Sequence, residues 1–222
     1  VWIITAAMTV LAICYTMIIP FLPIYLLELG VPKADVALWS GLVFGITFLI
    51  AGIMAPIWGK IADNKGKKRM ALRAGFAIAI CYVLIGLVTD QYQLLMGRAL
   101  VGFANGFYPA AMTMVSLSVD EKQVGRALGI FQTGLILGNV IGPFLGGAVE
   151  SVVGMRPVFY VSGIAVFIAT LAVLFFVKEP KLHAVGADGK EQAAHHTKST
   201  SLREDFKAVQ QQPVLVRLLW IF

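Results

Sequence analysis

The sequence predicts an all-α membrane protein: a six-helix bundle built as two inverted three-helix repeats, followed by the start of a seventh helix. Three observations predict this fold. The composition is too apolar for a water-soluble surface, six apolar runs have spanning length, and a short pattern in the second run recurs in the fifth. Of 222 residues, 59% are hydrophobic and 14% charged, with a net charge of +6 and a mean hydropathy of +0.83. A soluble domain carries roughly 25% charged residues. The excess positive charge does not form one face suited to nucleic acid, because the basic residues fall between apolar runs. Cys14 and Cys81 lie inside apolar runs without metal-ligand spacing and read as small hydrophobic fillers.

A span needs about 20 mainly apolar residues to cross a hydrocarbon core of about 30 Å. Residues 2–27, 38–62, 70–89, 92–118, 127–149 and 157–177 qualify. The first run contains Pro20 and Pro23, which remove backbone donors and suit a helix lining a cavity. The domain reading is then a bundle over 1–177, a polar linker over 178–213 and the start of a seventh span over 214–222. The linker is rich in Lys, Gln, Ala and His, with one amphipathic stretch near 202–210. The chain begins and stops inside apolar runs, so the expectation is a piece of a longer protein.

Basic residues set the expected orientation. The loop after the second span holds Lys60, Lys65, Lys67, Lys68 and Arg69; the loop after the fourth holds Lys122 and Arg126; the linker holds six more. The opposite side has only Lys33 and Arg156. The positive-inside rule places the amino end and the linker in the cytoplasm.

The recurring pattern is P-I-W-G-K-I-A-D, from Pro56 to Asp63, against P-F-L-G-G-A-V-E, from Pro143 to Glu150. The copies are offset by 87 residues (143 − 56), and three spans apart they cross the membrane in opposite directions. Inverted three-plus-three repeats of this kind build transporters that rock around a central site.

Three motifs carry chemistry. In the loop G-K-I-A-D-N-K-G-K-K-R, Gly59 permits close helix approach and Gly66 a left-handed turn. Asp63, at a helix carboxyl end where the dipole disfavours it, needs a partner. In the fifth span, Gly134, Gly138, Gly142 and Gly146 recur every four positions, with Pro143 and Gly147 beside them: a groove for tight packing with a permitted bend. Arg98 lies inside the fourth span, where a cation costs about 2.5–3.5 kcal/mol and must face a cavity or a partner.

In this order the motifs resemble those of the major facilitator superfamily, in its twelve-helix drug–proton antiporter branch, the bacterial multidrug efflux pumps. The loop is similar to the family form G-x3-D-(R/K)-x-G-(R/K)-(R/K) at Gly59, Asp63, Gly66, Lys67 and Lys68; Asn64 stands where a base is usual. The resemblance implies a conformational latch for these five residues. It also implies an antiporter bend motif for Gly138, Gly142, Pro143, Gly146 and Gly147, and proton coupling for Arg98 in R-x3-G, with Val101 where Gln is common. It further implies export of hydrophobic or cationic drugs in exchange for protons by alternating access, without covalent chemistry, from the bacterial plasma membrane. The expected partners are drugs, protons, membrane lipid and the carboxyl-terminal half of the same transporter; no nucleic acid, cofactor or metal is expected, and the protein is expected to be a monomer.

Aromatic and Met side chains suit a site for varied apolar or cationic compounds, through stacking, cation–π contact and adaptable packing. Candidates are Tyr15, Tyr25, Phe44, Phe48, Asn105, Tyr108, Met112, Phe131 and Gln132, with Phe21, Phe107 and Met114 beside them. No Asp or Glu lies in the middle of any span. The coupling acid is therefore Glu28, Asp63 or Asp120 near an end, or a residue of the carboxyl half, which is favoured. His183, His195 and His196 fall in the linker and read as solvated. A proton-coupled exporter of one sugar or polyamine, or a membrane scaffold without transport, are the alternatives.

Overall fold

The computed structural model describes residues 1–177. The linker with its three histidines and the start of the seventh span lie outside the described residues. Within them, six helical stretches are long and apolar enough to cross a membrane. The first combines α1 (Trp2–Ile18), one 3-10 turn (Ile19–Phe21) and α2 (Leu22–Glu28). Pro20 cannot donate to the helical ladder, which accounts for the interruption. The second and third spans are α3 (Val36–Lys65) and α4 (Lys67–Gly86), joined at Gly66, whose φ of 98° favours glycine. The fourth span is also interrupted: α5 (Gln91–Ala104) and α6 (Phe107–Ser116) are separated by Asn105 and Gly106. A 3-10 turn (Glu121–Gln123) leads into α7 (Val124–Val153), and α8 (Met155–Phe176) completes the bundle.

The packing follows the inverted repeat. The principal pairs are α1 with α7, α3 with α5 and α4 with α8, followed by α1 with α8 and α4 with α5. Exchange of the triplets turns the α1–α7 pair into α5–α3 and the α1–α8 pair into α5–α4, and it maps α4–α8 onto itself. The two interruptions correspond as well. The 87-residue offset carries Ile19–Phe21 onto residues 106–108, which begin at Gly106 within the break.

Small residues set how closely these pairs approach. A Cβ added at Gly138 would stand 2.7 Å from the Thr9 carbonyl oxygen, and one at Gly142 2.7 Å from that of Ile13. Gly134 and Gly146 meet α1 in the same way, at Thr5 and Thr9 and at Met17. In the related pair the small residue sits on α5 and not on α3, the counterpart of α7: a Cβ at Gly102 of α5 would lie 2.5 Å from the Thr47 carbonyl of α3. The glycines of α3 itself (Gly41, Gly45, Gly52 and Gly59) meet nothing within 4 Å among the described residues. Large apolar side chains such as Leu49, Ile53, Val140 and Phe144 are exposed on α3 and α7.

Candidate functional site

Five spans converge on a cavity of about 390 Å³. Its walls are Met8, Leu11 and Tyr15 from α1, Thr47 and Phe48 from α3, and Ile78 and Tyr82 from α4. Val101, Asn105, Phe107 and Tyr108 of the fourth span and Leu135 and Asn139 of α7 complete them. Most of the surface is aliphatic or aromatic, with phenol, amide and hydroxyl groups placed singly, the usual make-up of a small-molecule site. No carboxylate is among the lining residues.

Arg98 is the most costly residue of this region. It is 2% exposed, and its Nε and Nη2 have no hydrogen-bond partner among the described residues. It shares a face of α5 with Val101 and Asn105, three and seven residues on, both of which line the cavity. The ionisable groups that interact with it are the phenols of Tyr82 and Tyr15, also in the cavity wall. Its backbone carbonyl accepts a hydrogen bond of 3.2 Å from Thr47 Oγ1, which fixes α5 against α3 at this level. A cation buried within a membrane-spanning segment is a candidate for a functional role.

The other expected binding residues divide. Tyr15, Phe48, Asn105 and Tyr108 line the cavity. Gln132 stands one step behind, donating from Nε2 to Tyr108 Oη at 2.8 Å, while Phe131 is fully buried with its ring 5.9 Å from that of Tyr108. Phe44 packs on Phe48 at 5.0 Å, half exposed beside the cavity. Met112 is half-buried against the core and Met114 fully buried. Tyr25 does not reach the cavity. It is fully buried, its ring 5.1 Å from Phe159, and its hydroxyl donates to the Ile85 carbonyl at 3.1 Å. Phe21 instead covers Gly147. Sequence reasoning passed over Tyr82, Thr47 and Asn139. Tyr82 lies on α4, most of which is devoted to packing; Asn139, with Gln132 one of two amides in the apolar run of α7, was a usable signal.

The basic loop forms a second locus. Asp63, in the last turn of α3, is ion-paired with Lys67 at the start of α4. Lys68 Nζ donates to the Leu174 carbonyl at 2.8 Å, so this loop holds the end of α8. Gly59, Asp63 and Lys67 line a smaller cavity of about 240 Å³ that also touches Asn105, Gly106 and Tyr108. Asn64 is exposed. Gly66 supplies the turn, and Gly138, Gly142 and Gly146 seat α7 on α1, with Pro143 inside the helix. Glu28 and Asp120 are exposed at span ends, outside both cavities. Among the described residues no cluster of His, Cys, Asp or Glu could hold a metal.

Two inverted triplets of spanning helices around a central cavity, with a cation buried beside it, define a membrane transporter bundle. The chain belongs to the Major Facilitator Superfamily, whose family model matches residues 4–222. Among curated relatives, Multidrug resistance protein MdtG of Proteus mirabilis is 44% identical over 166 residues, covering 74% of this chain and 41% of that protein. The protein of the same name from Dickeya zeae is 40% identical over 166 residues, with the same coverage. The chain thus spans about two fifths of the length of these relatives. Solved structures share the fold at low identity. The human organic anion transporter MFSD10 (TETRAN) aligns with a TM-score of 0.69 at 16% identity, over 80% of this chain and 47% of that one. A peptide transporter POT in complex with alafosfalin aligns with a TM-score of 0.71 at 18% identity, over 100% of this chain and 46% of that one.

Proposed function

We propose that the chain is the amino-terminal half of an exporter that expels structurally varied drugs from bacteria in exchange for protons. The observation that carries this reading is the cavity of about 390 Å³ with aromatic and aliphatic walls and scattered polar groups, set beside the buried Arg98. Such walls accept many apolar shapes, and Tyr15, Phe48 and Tyr108 offer ring faces to cationic ones. Residues 1–177 form the bundle, 178–213 the linker and 214–222 the start of the next span of a twelve-helix, monomeric carrier in the plasma membrane. The basic loop and linker face the cytoplasm, as the distribution of Lys and Arg requires.

In this mechanism two bundles rock about the cavity, and proton entry drives release of drug outward. Gly59, Asp63, Gly66, Lys67 and Lys68 latch one state, and the α7 glycines with Pro143 allow the helix contact to shift. Arg98 responds to protonation of an acid on the carboxyl half. Glu28 and Asp120, exposed at span ends, suit that part less well. The amides of Asn105 and Asn139 in the cavity favour a second reading, export of one polar metabolite such as a sugar or polyamine. Proteoliposomes of the full-length protein separate the two. Extrusion of several unrelated dyes under a proton gradient supports drug export; movement of one sugar or polyamine and none of the dyes overturns it.

A further inference from the structure

The break in the fourth span leaves the last carbonyls of α5 without successors in the helical ladder. Two of them are taken by side chains from two other helices. Trp58 Nε1, on α3, donates to the Phe103 carbonyl at 2.8 Å. Arg73 Nη2, on α4, donates to the Ala104 carbonyl at 3.2 Å. The two donors also hold each other: the Arg73 guanidinium lies over the indole at 3.5 Å, and the indole packs edge-on against Phe103 at 5.3 Å. A cation at a helix carboxyl end is favoured by the helix dipole, and a guanidinium stacked on Trp is favoured by the ring quadrupole. Gly106 completes the arrangement; with φ of 154°, it would place a Cβ 3.3 Å from Met70 Cε and 3.6 Å from Arg73 Nη2.

The location gives this contact its meaning. Trp58 immediately precedes Gly59, and Arg73 follows the basic run of residues 65–69 on the first turns of α4. The two elements that flank the loop therefore meet on the end of α5. Directly beyond it, Asn105 and Tyr108 line both the large cavity and the smaller one beside Asp63 and Lys67. Among the described residues the related interruption in the first span has no such clasp: there the backbone closes on itself, Leu22 N–H donating to the Ile19 carbonyl.

We infer that Trp58 and Arg73 are positioning residues. They clasp the end of α5 and so set, from the loop of residues 59–69, where Asn105 and Tyr108 stand in the wall between the two cavities. A shift of the loop moves α3 and α4 against each other, separates indole from guanidinium and frees the break, so that the loop and the cavity change together. The inference rests on the chain being half of a carrier, as proposed above, but not on what it carries.

The test uses the full-length protein with Cys14→Ala and Cys81→Ala, a reporter Thr113→Cys on α6 and a separate control reporter Tyr92→Cys at the far end of α5. The readout is the rate of maleimide labelling in permeabilised membranes, which needs no substrate. Loss of one hydrogen bond of ordinary strength corresponds to a change of about five- to tenfold in a local opening equilibrium. Arg73→Gln or Trp58→Phe is therefore expected to speed labelling at Thr113→Cys by about that factor and to leave Tyr92→Cys unchanged. Arg73→Lys, which keeps an amine donor, should recover part of the effect. The double variant should exceed neither single by more than twofold, because the two side chains act as one unit. Unchanged labelling at Thr113→Cys, an equal rise at both reporters, or multiplicative effects in the double variant overturn the inference. Trp58→Phe, which keeps an aromatic ring but has no donor, decides the matter if Arg73→Gln does not reach the membrane. Failure of every transport assay alongside this labelling pattern would refute drug export and leave the clasp standing.

Discussion

Replacement of Gly142 by larger residues probes a tight contact of α7 with α1. An added Cβ stands 2.7 Å from the Ile13 carbonyl oxygen, where ordinary contact begins at 3.4 Å, and closer still to Thr16 Oγ1. Thr16 can rotate away, but its hydroxyl already donates to the Ala12 carbonyl at 2.8 Å, and the Ile13 carbonyl belongs to the α1 backbone. The helices must therefore separate by about 0.7 Å (3.4 − 2.7) along this line. Overpacking of this kind costs about 1–3 kcal/mol, against which alanine recovers about 1 kcal/mol of helix propensity. Because the Cβ meets backbone, the upper part of that range applies, about 2–3 kcal/mol, and the net loss for Gly142→Ala is about 1–2 kcal/mol, or a fall of about 2–8 °C in Tm for a unit of this size. Gly142→Leu should lose more, since it adds further atoms to a Cβ that already meets the α1 backbone. The assay is thermal unfolding of the purified full-length protein in detergent. A Tm for Gly142→Ala equal to that of the parent, or Leu tolerated as well as Ala, would refute the packing argument.

Arg98→Gln should leave the protein in the membrane and lower the initial export rate at least tenfold, and Arg98→Lys should restore little, because an ammonium does not reproduce the guanidinium fork. A Gln variant retaining half the parental rate would remove Arg98 from the coupling machinery. Asp63→Asn should move Tm by no more than about 3 °C, since its exposed pair with Lys67 is worth at most about 1 kcal/mol. On the proposed latch, export should nevertheless fall severalfold; unchanged export would count against that proposal.

The fold was legible because the membrane imposes simple rules. Six apolar runs could only be spans, and the described helices end within a few residues of them. The Pro56–Asp63 pattern and its inverted copy foreshadowed the exchange of partners between α1–α7 and α5–α3. The glycine ladder of α7 was readable because its four-residue period can serve only one helix face. The break at Asn105–Gly106 was harder to see: a glycine inside an apolar run reads equally as packing, and it is the backbone that shows Gly106 at φ of 154°. Half-readable, too, was the cavity. Aromatic residues signal a pocket, a packed core and a lipid face alike, so Tyr15 and Tyr25 look identical in sequence although one lines the cavity and the other is sealed against Phe159. The contact of Trp58 with Arg73 spans fifteen residues and depends on a third helix, which no local pattern encodes.

The most direct test of proton-driven drug export is made with the full-length protein in proteoliposomes loaded with a fluorescent cationic dye such as ethidium. An imposed gradient should drive dye movement opposite to the protons, with internal pH recorded in the same vesicles. The expected result is dye movement that stops when the gradient is collapsed, accompanied by proton flux that appears only when dye is present. Dye movement indifferent to the gradient, or proton flux indifferent to dye, would contradict the proposed function.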